Sequence, residues 1–144
     1  MDEIVWEVNP KNDRLDKLCN YLAGYINEYL SLTDIKLTVR VPELLPVAFI
    51  SAEFRHNIFL VIKESINNVV KHAHATEVTF EIKLDKNILL FILGDNGKGI
   101  EIHVDEFSNG LLNMKKRMSD IGGSFVLRTN EPTGTIAELS VPIN

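Results

Sequence analysis

A single cysteine, Cys19, rules out an internal disulfide. The fold must therefore be held by a hydrophobic core in a reducing setting, where such a cysteine serves as a small buried hydrophobe. No run of lysines and arginines offsets the net charge of −5, which with a pI near 5.3 opposes the counterion release that drives general nucleic-acid binding. DNA and RNA are not expected partners. No charged-then-apolar leader and no unbroken membrane-spanning run is present, so direct membrane contact by this chain is not expected. GxGxxG and GxxxxGKS/T are both missing, which removes the dinucleotide fingerprint and the P-loop. Internal repeats and low-complexity segments are absent as well.

The 144 residues, 45% hydrophobic, suffice for one compact domain and not for two. The opening MDEIVWEVNPKND has no helix-start signal before Trp6 and reads as a piece of a longer polypeptide. Residues 1–14 are accordingly expected to end a linker, and residues 15–144 to form the domain. Asp13 is placed to cap a helix on which Leu15, Leu18, Leu22, Tyr25 and Tyr29 recur at three- and four-residue steps. Ile35, Leu37, Val39 and Val41 then alternate with polar residues as in a half-buried strand, which Pro42 closes. After the loop holding Pro42 and Pro46, Ser51 is a good cap for a helix running to about Ala73. Val78 to Leu84 and Ile88 to Leu93 read as a hairpin around Asp85-Lys86-Asn87.

A glycine loop, Gly94 to Gly99, follows, then an irregular stretch, Ile100 to Asn109. A third helix carries Leu111, Met114, Met118 and Ile121 on one face and stops at Gly122-Gly123. Two last strands, Phe125 to Thr129 and Thr135 to Val141, flank the turn Asn130-Glu131-Pro132-Thr133-Gly134. Paired hairpins with helices to one side imply an α+β fold, a two-layer sandwich with a mixed β-sheet, rather than the alternating pattern of a Rossmann fold.

On the second helix, Phe59, Ile62, Ile66, Val69 and Ala73 share a narrow arc and supply the core face. Glu64 and Asn68 lie one turn apart on another side, with Lys71 and His72 about a turn further on. A solvated face is the ordinary meaning of such residues. The sharper meaning is that Glu64 and Asn68 offer hard oxygen ligands to magnesium or its waters, with Lys71 and His72 toward phosphates. In the glycine loop, Asp-Asn-Gly is a common turn, yet closely spaced glycines also permit positive φ and free N–H groups that form an anion-accepting concavity. Asp95, at the strand end, is acceptor-only. It suits the exocyclic amine of adenine and would leave the carbonyl of guanine unpaired. Gly110 reads equally as a simple helix entry or as a phosphate-binding helix start. Arg117 either contacts phosphate or decorates a surface with Lys115 and Lys116, and Thr135 either bonds a purine or completes a turn.

Together, ESINNVVKHA (64–73), DNGKG (95–99), GLLNMKKR (110–117) and GTIAELSVP (134–142) resemble, in order and spacing, the Bergerat-type ATP-binding (GHKL) fold. DNA gyrase, the ninety-kilodalton heat-shock chaperone, histidine kinases and mismatch-repair MutL share that fold. NNVVKHAHA and GLLNMKKR are similar to the sensor histidine kinases related to nitrate and lipid-fluidity sensors. IVWEVNPKNDRLDKL resembles the segment preceding the ATP-binding domain in hybrid sensors of gut Bacteroidetes.

The resemblance implies Mg2+ and ATP as ligands, with Glu64 catalytic and Glu64 and Asn68 at the metal. It places Lys71 and His72 in the same box, Asp95 on the adenine amine with Gly97 and Gly99 shaping the pocket, Gly110 and Leu111 at the end of the lid, and Thr135 near adenine. It further implies a cytoplasmic domain, with an inner-membrane sensor as the kind of parent. Its partners would be a dimerisation domain carrying the phosphoacceptor histidine and a response regulator. None of His56, His72, His74 or His103 has the helical, acid-flanked setting of such an acceptor, so self-phosphorylation of this chain is not expected. The alternatives are an anti-sigma-like, nucleotide-dependent interaction module and a gyrase- or MutL-type ATPase.

Overall fold

A computed structural model describes residues 13–99 and 105–143 of the chain, without side-chain detail for 105–108. The expected linker up to Asn12 and the segment 100–104 lie outside the described residues. Helix α1 spans Leu15–Leu30, strand β1 Lys36–Arg40 and helix α2 Ala52–Asn68, which continues as a π-helical turn, Val69–Ala73. Strands β2 (Glu77–Asp85) and β3 (Ile88–Asp95) follow, then helix α3 (Asp105–Asp120) and strands β4 (Ser124–Thr129) and β5 (Thr135–Pro142). The sheet order is β1-β2-β3-β5-β4. Its β1–β2 pair is parallel and the others are antiparallel. The α+β sandwich with a mixed sheet is thus the observed fold.

The core follows from two periodicities. Val78, Phe80 and Ile82 of β2, Leu89, Phe91 and Leu93 of β3, and Ala137, Leu139 and Val141 of β5 are buried at alternate positions. One sheet face is therefore apolar and needs a helical cover. Phe59, Ile62, Ile66, Val69 and Ala73 provide it, all buried as the helical arc requires. From α1 come Leu18, Leu22 and Ile26, fully buried, and Tyr25, whose ring stands edge-on to Phe59 at 5.0 Å between centroids. Cys19 lies in the same core, and burial pushes its thiol up to about 12, so it stays a protonated hydrophobe. Among the described residues, no helix is long and apolar enough to cross a membrane.

Four expectations need correction. Asp13 does not cap α1: the cap position is Arg14, with no side-chain cap bond. Instead, main-chain pairing with the segment before α2 fixes the entry, Leu15 N–H donating to the Ala48 carbonyl at 3.0 Å and Ile50 N–H to that of Asp13 at 2.7 Å. In β1 only Leu37 is partly covered, while Val39 is 40% exposed, because this is an edge strand with one neighbour. The second helix does not stay α-helical to Ala73, since its last five residues form the π turn. Helix α3 begins at Asp105, so residues 105–109 are helical and Gly110 lies inside the helix, not at its start. Internal helical bonding then removes the free N–H groups that a phosphate would need there.

Both expected helix signals at Ser51 and Gly122-Gly123 operate. Ser51 Oγ accepts from Phe54 N–H at 3.0 Å. At the other end of the helical layer, Gly122 (φ 78°) lets its N–H reach the Ser119 carbonyl and that of Gly123 reach Met118, at 3.0 and 2.8 Å, the Schellman pattern. In urea denaturation, Ser51→Ala is expected to cost about 1 kcal/mol, and Phe91→Ala, a cavity at the sheet centre, about 3–5 kcal/mol. A Ser51→Ala variant as damaged as Phe91→Ala would show that the cap does more than end a helix.

Candidate functional site

Alternation along β3 carries past Leu89, Phe91 and Leu93 to Asp95, which therefore points to the helix-covered face. It is 3% exposed. Gly97 N–H donates to its Oδ1 at 2.8 Å, and the Thr135 main chain also donates to the carboxylate. Burial pushes the Asp95 pKa upward, and these two N–H groups partly oppose the shift. The Asp95 carbonyl accepts from Asn130 Nδ2 at 2.8 Å. Gly134, at φ 107°, packs so closely on that carbonyl that a Cβ would collide with it.

The next residues bolt this strand end to α2. A Cβ at Gly97 would strike the Ala73 carbonyl, and Lys98 N–H donates to the same oxygen at 2.8 Å. Asn96 Oδ1 accepts from Thr76 N–H and Glu77 N–H, each at 2.9 Å. Gly97 and Lys98 thus commit their N–H groups to protein acceptors, so the expected anion concavity is not formed by them. The glycine at 97 serves close packing, and Gly99 takes φ 84°.

That packing brings the last turn of α2 to Asp95. Asn68, 7% exposed, lines one cleft with Asp95, Thr135, Val69, Leu93 and Met114. The cleft is narrow: its free volume of about 10 Å³ holds roughly one water. Beyond Met114 opens a second cavity of about 440 Å³, lined by Glu64, Lys63, Arg117 and Gly110 among others, within the size of ligand pockets. Gly110 allows α3 to come near: a Cβ there would sit 3.2 Å from Glu64 Oε1. Asn57 Nδ2 ties α3 to α2 by donating to the Arg117 carbonyl at 2.9 Å, and Ser65 Oγ, whose proton goes to the Val61 carbonyl at 2.8 Å, lies 3.6 Å from Met114 Sδ.

The family model of histidine kinase-, DNA gyrase B- and HSP90-like ATPases matches residues 55–144. The chain belongs to this family. Sensor protein VraS of Staphylococcus haemolyticus is 35% identical over 89 residues, covering 61% of this chain and 26% of the relative, and VraS of Staphylococcus aureus matches to the same extent. The chain spans about a quarter of the length of these relatives. Among solved structures, the histidine kinase domain of the Erythrobacter litoralis EL346 blue-light activated kinase superposes with a TM-score of 0.71 at 21% identity. That match covers 88% of this chain and 61% of that one. The ATP binding domain of PrrB from Mycobacterium tuberculosis gives 0.69 at 19%, covering 92% and 98%. Both likenesses concern the fold.

Within this ATPase domain the other expected residues are distributed unevenly. Lys71 and His72 are exposed on the π turn and line neither cavity. Leu111 packs half-buried against the core. Among the described residues no three His, Cys, Asp or Glu side chains cluster as a metal cage. Glu64 and Asn68, one turn apart, offer only two oxygen donors. Such a pair fits magnesium when phosphates and waters complete its shell, and not otherwise. The sequence reading missed Asn96, Asn130, Asn57 and Ser65. For the last two a signal existed, since Asn57 and Ser65 interrupt a helix face that is otherwise apolar.

Asp95 gives a pH prediction. Because burial raises its folded pKa above the ordinary 3.8, the native state favours the neutral acid, and stability from this group is lost as pH rises through the folded value. Asp95→Asn does not titrate. It should therefore melt higher than the native chain at pH 7, the gap closing as pH falls toward about 4. A native chain that outlasts Asp95→Asn at pH 7 would mean that the two N–H groups outweigh burial.

Proposed function

We propose that the chain binds ATP with magnesium and is the catalytic domain of a sensor histidine kinase, passing the γ-phosphoryl group to a histidine on a separate dimerisation domain. The observation that carries the reading is the shared cleft: Asp95 from a strand end and Asn68 from a helix line one space, with Glu64 a single turn along α2. Family membership supports it, as do relatives named sensor proteins and structural neighbours named histidine kinases.

In this reading, Asp95 accepts a hydrogen bond from the adenine amine on carboxylate capacity left after Gly97 and Thr135. Thr135 flanks the ring, and Val69, Leu93 and Met114 exclude water from it. Asn68 and Glu64 orient the metal and the phosphates, and bound magnesium supplies charge neutralisation, which is most of what phosphoryl transfer requires. Glu64 also accepts the proton that the attacking imidazole releases. Lys71 and His72 remain candidates for the outer phosphates, and Gly110 with Leu111 for the boundary of the lid.

The response regulator as final acceptor, the boundary between linker (1–14) and domain (15–144), and the cytoplasmic placement belong to the same proposal. So does the nitrate- and lipid-fluidity-sensor subfamily, on the strength of NNVVKHA and GLLNMKKR. The relatives named above are staphylococcal and lend no support to a Bacteroidetes source.

Calorimetric titration tests the proposal. ATP should bind in the presence of magnesium and GTP at least about tenfold more weakly. Asp95→Asn should erase that preference, and Asn68→Ala the magnesium dependence. With γ-labelled ATP, label should pass to a supplied dimerisation domain and not to this chain. Label on a partner's serine would favour the anti-sigma-like module, and steady hydrolysis without transfer the gyrase-like one.

A further inference from the structure

The cavity beside Glu64 holds charges that the core does not need. Arg117 is half-buried on α3 and lines the same 440 Å³ space as the Glu64 carboxylate. Among the described residues neither has an ion-pair partner. Opposite charges that line one cavity of ligand size without pairing with each other leave both available to a bound group. The position of Arg117 is fixed as well: the buried amide of Asn57 grips its carbonyl across the helix pair at 2.9 Å. On α3, Asn113 and Gly110 lie one and two turns before Arg117 and line the same cavity with Glu64. Other cations of this helix are engaged or face outward, since Lys115 and Lys116 are exposed and Lys116 pairs with Asp120 at 3.2 Å.

We propose that Arg117 is a catalytic residue that grips the γ-phosphoryl oxygens of ATP, in the cavity through which the acceptor imidazole reaches Glu64. The inference rests on the ATP reading above and adds the residue that separates a triphosphate from a diphosphate. In the transfer, the bond between the γ-phosphorus and its bridging oxygen breaks and ADP leaves. A phosphorus–nitrogen bond forms on the imidazole, and the imidazole proton goes to Glu64. Arg117 gains or loses no bond. Its planar fork matches two phosphoryl oxygens at once, a geometry that a lysine cannot reproduce.

The test is titration of the chain with Mg-ATP and Mg-ADP, using the native protein, Arg117→Ala and Arg117→Lys. Arg117→Ala should weaken ATP binding by roughly 10–100-fold while changing ADP by less than about threefold. Arg117→Lys, which keeps the stem packing and the charge, should recover part of the loss. A merely structural role would lower both nucleotides together, and that result, or no loss for ATP, overturns the inference. Arg117→Lys indistinguishable from native for both ligands would refute the two-oxygen grip. Failure of the native chain to bind either nucleotide overturns the ATP reading itself, whereas Asp95-dependent binding of both with no selective effect at Arg117 overturns this inference alone.

Discussion

One constraint organises the molecule: a carboxylate is buried at the end of the central apolar strand and must be satisfied by main-chain N–H groups. Asp95 occupies a position that the period of β3 assigns to the core, where leucine or phenylalanine would pack at no electrostatic cost. Keeping an acid there requires donors within reach. Gly97 and Thr135 supply them, while the Ala73 carbonyl leaves no room for a side chain at Gly97 and the Asp95 carbonyl none at Gly134. The glycines of this region are thus consequences of the buried acid and of the contact with Ala73. A group that burdens folding in this way is expected where recognition needs it.

The same packing divides the space near Asp95 into two compartments of different character. The cleft at Asp95 is lined by apolar residues together with Ser65, Asn68 and Thr135 and is nearly without free volume, whereas the cavity at Glu64 is roomy and charged. Met114 stands between them and lines both. Its flexible thioether, 3.6 Å from Ser65 Oγ, is the kind of partition that moves at small cost. For a purine to rest against Asp95, Met114 or the helix that carries it must shift. Observed affinity is then lowered in proportion to the fraction of molecules already open.

Much of this was legible in the sequence, for identifiable reasons. The strands and the α2 core stripe declare themselves through periods of two and of 3.6 residues, and continuing those periods places Asp95 and Asn68 as well. Gly110 was misread because glycine is a frequent boundary signal. Its actual reason is the approach of α3 to Glu64, a contact between residues far apart in the chain. Asn96 and Asn130 were invisible for the same cause: their amides bond across separations of 20 and 35 residues, and nothing in a local window distinguishes such clamps from ordinary turn residues. Likewise, glycine spacing in Gly94 to Gly99 left open both a turn and an anion-accepting concavity, because whether an N–H is free depends on what packs against it.

The two compartments also divide the energetic work. In the proposed reaction, contacts around Asp95 would be the same before and after transfer, so they would contribute to affinity and to the choice of base, and not to the rate of the chemical step. Rate would have to come from groups that meet charge as it moves, and among the described residues the Glu64 cavity offers Glu64, Lys63 and Arg117. In the proposed reaction the Glu64 cavity would have to admit the acceptor histidine, whereas exclusion of water around Asp95 would strengthen a hydrogen bond to its carboxylate. The chain matches about a quarter of the length of its relatives, and in the proposed reading base recognition would lie within its own core while the reacting histidine would come from another domain.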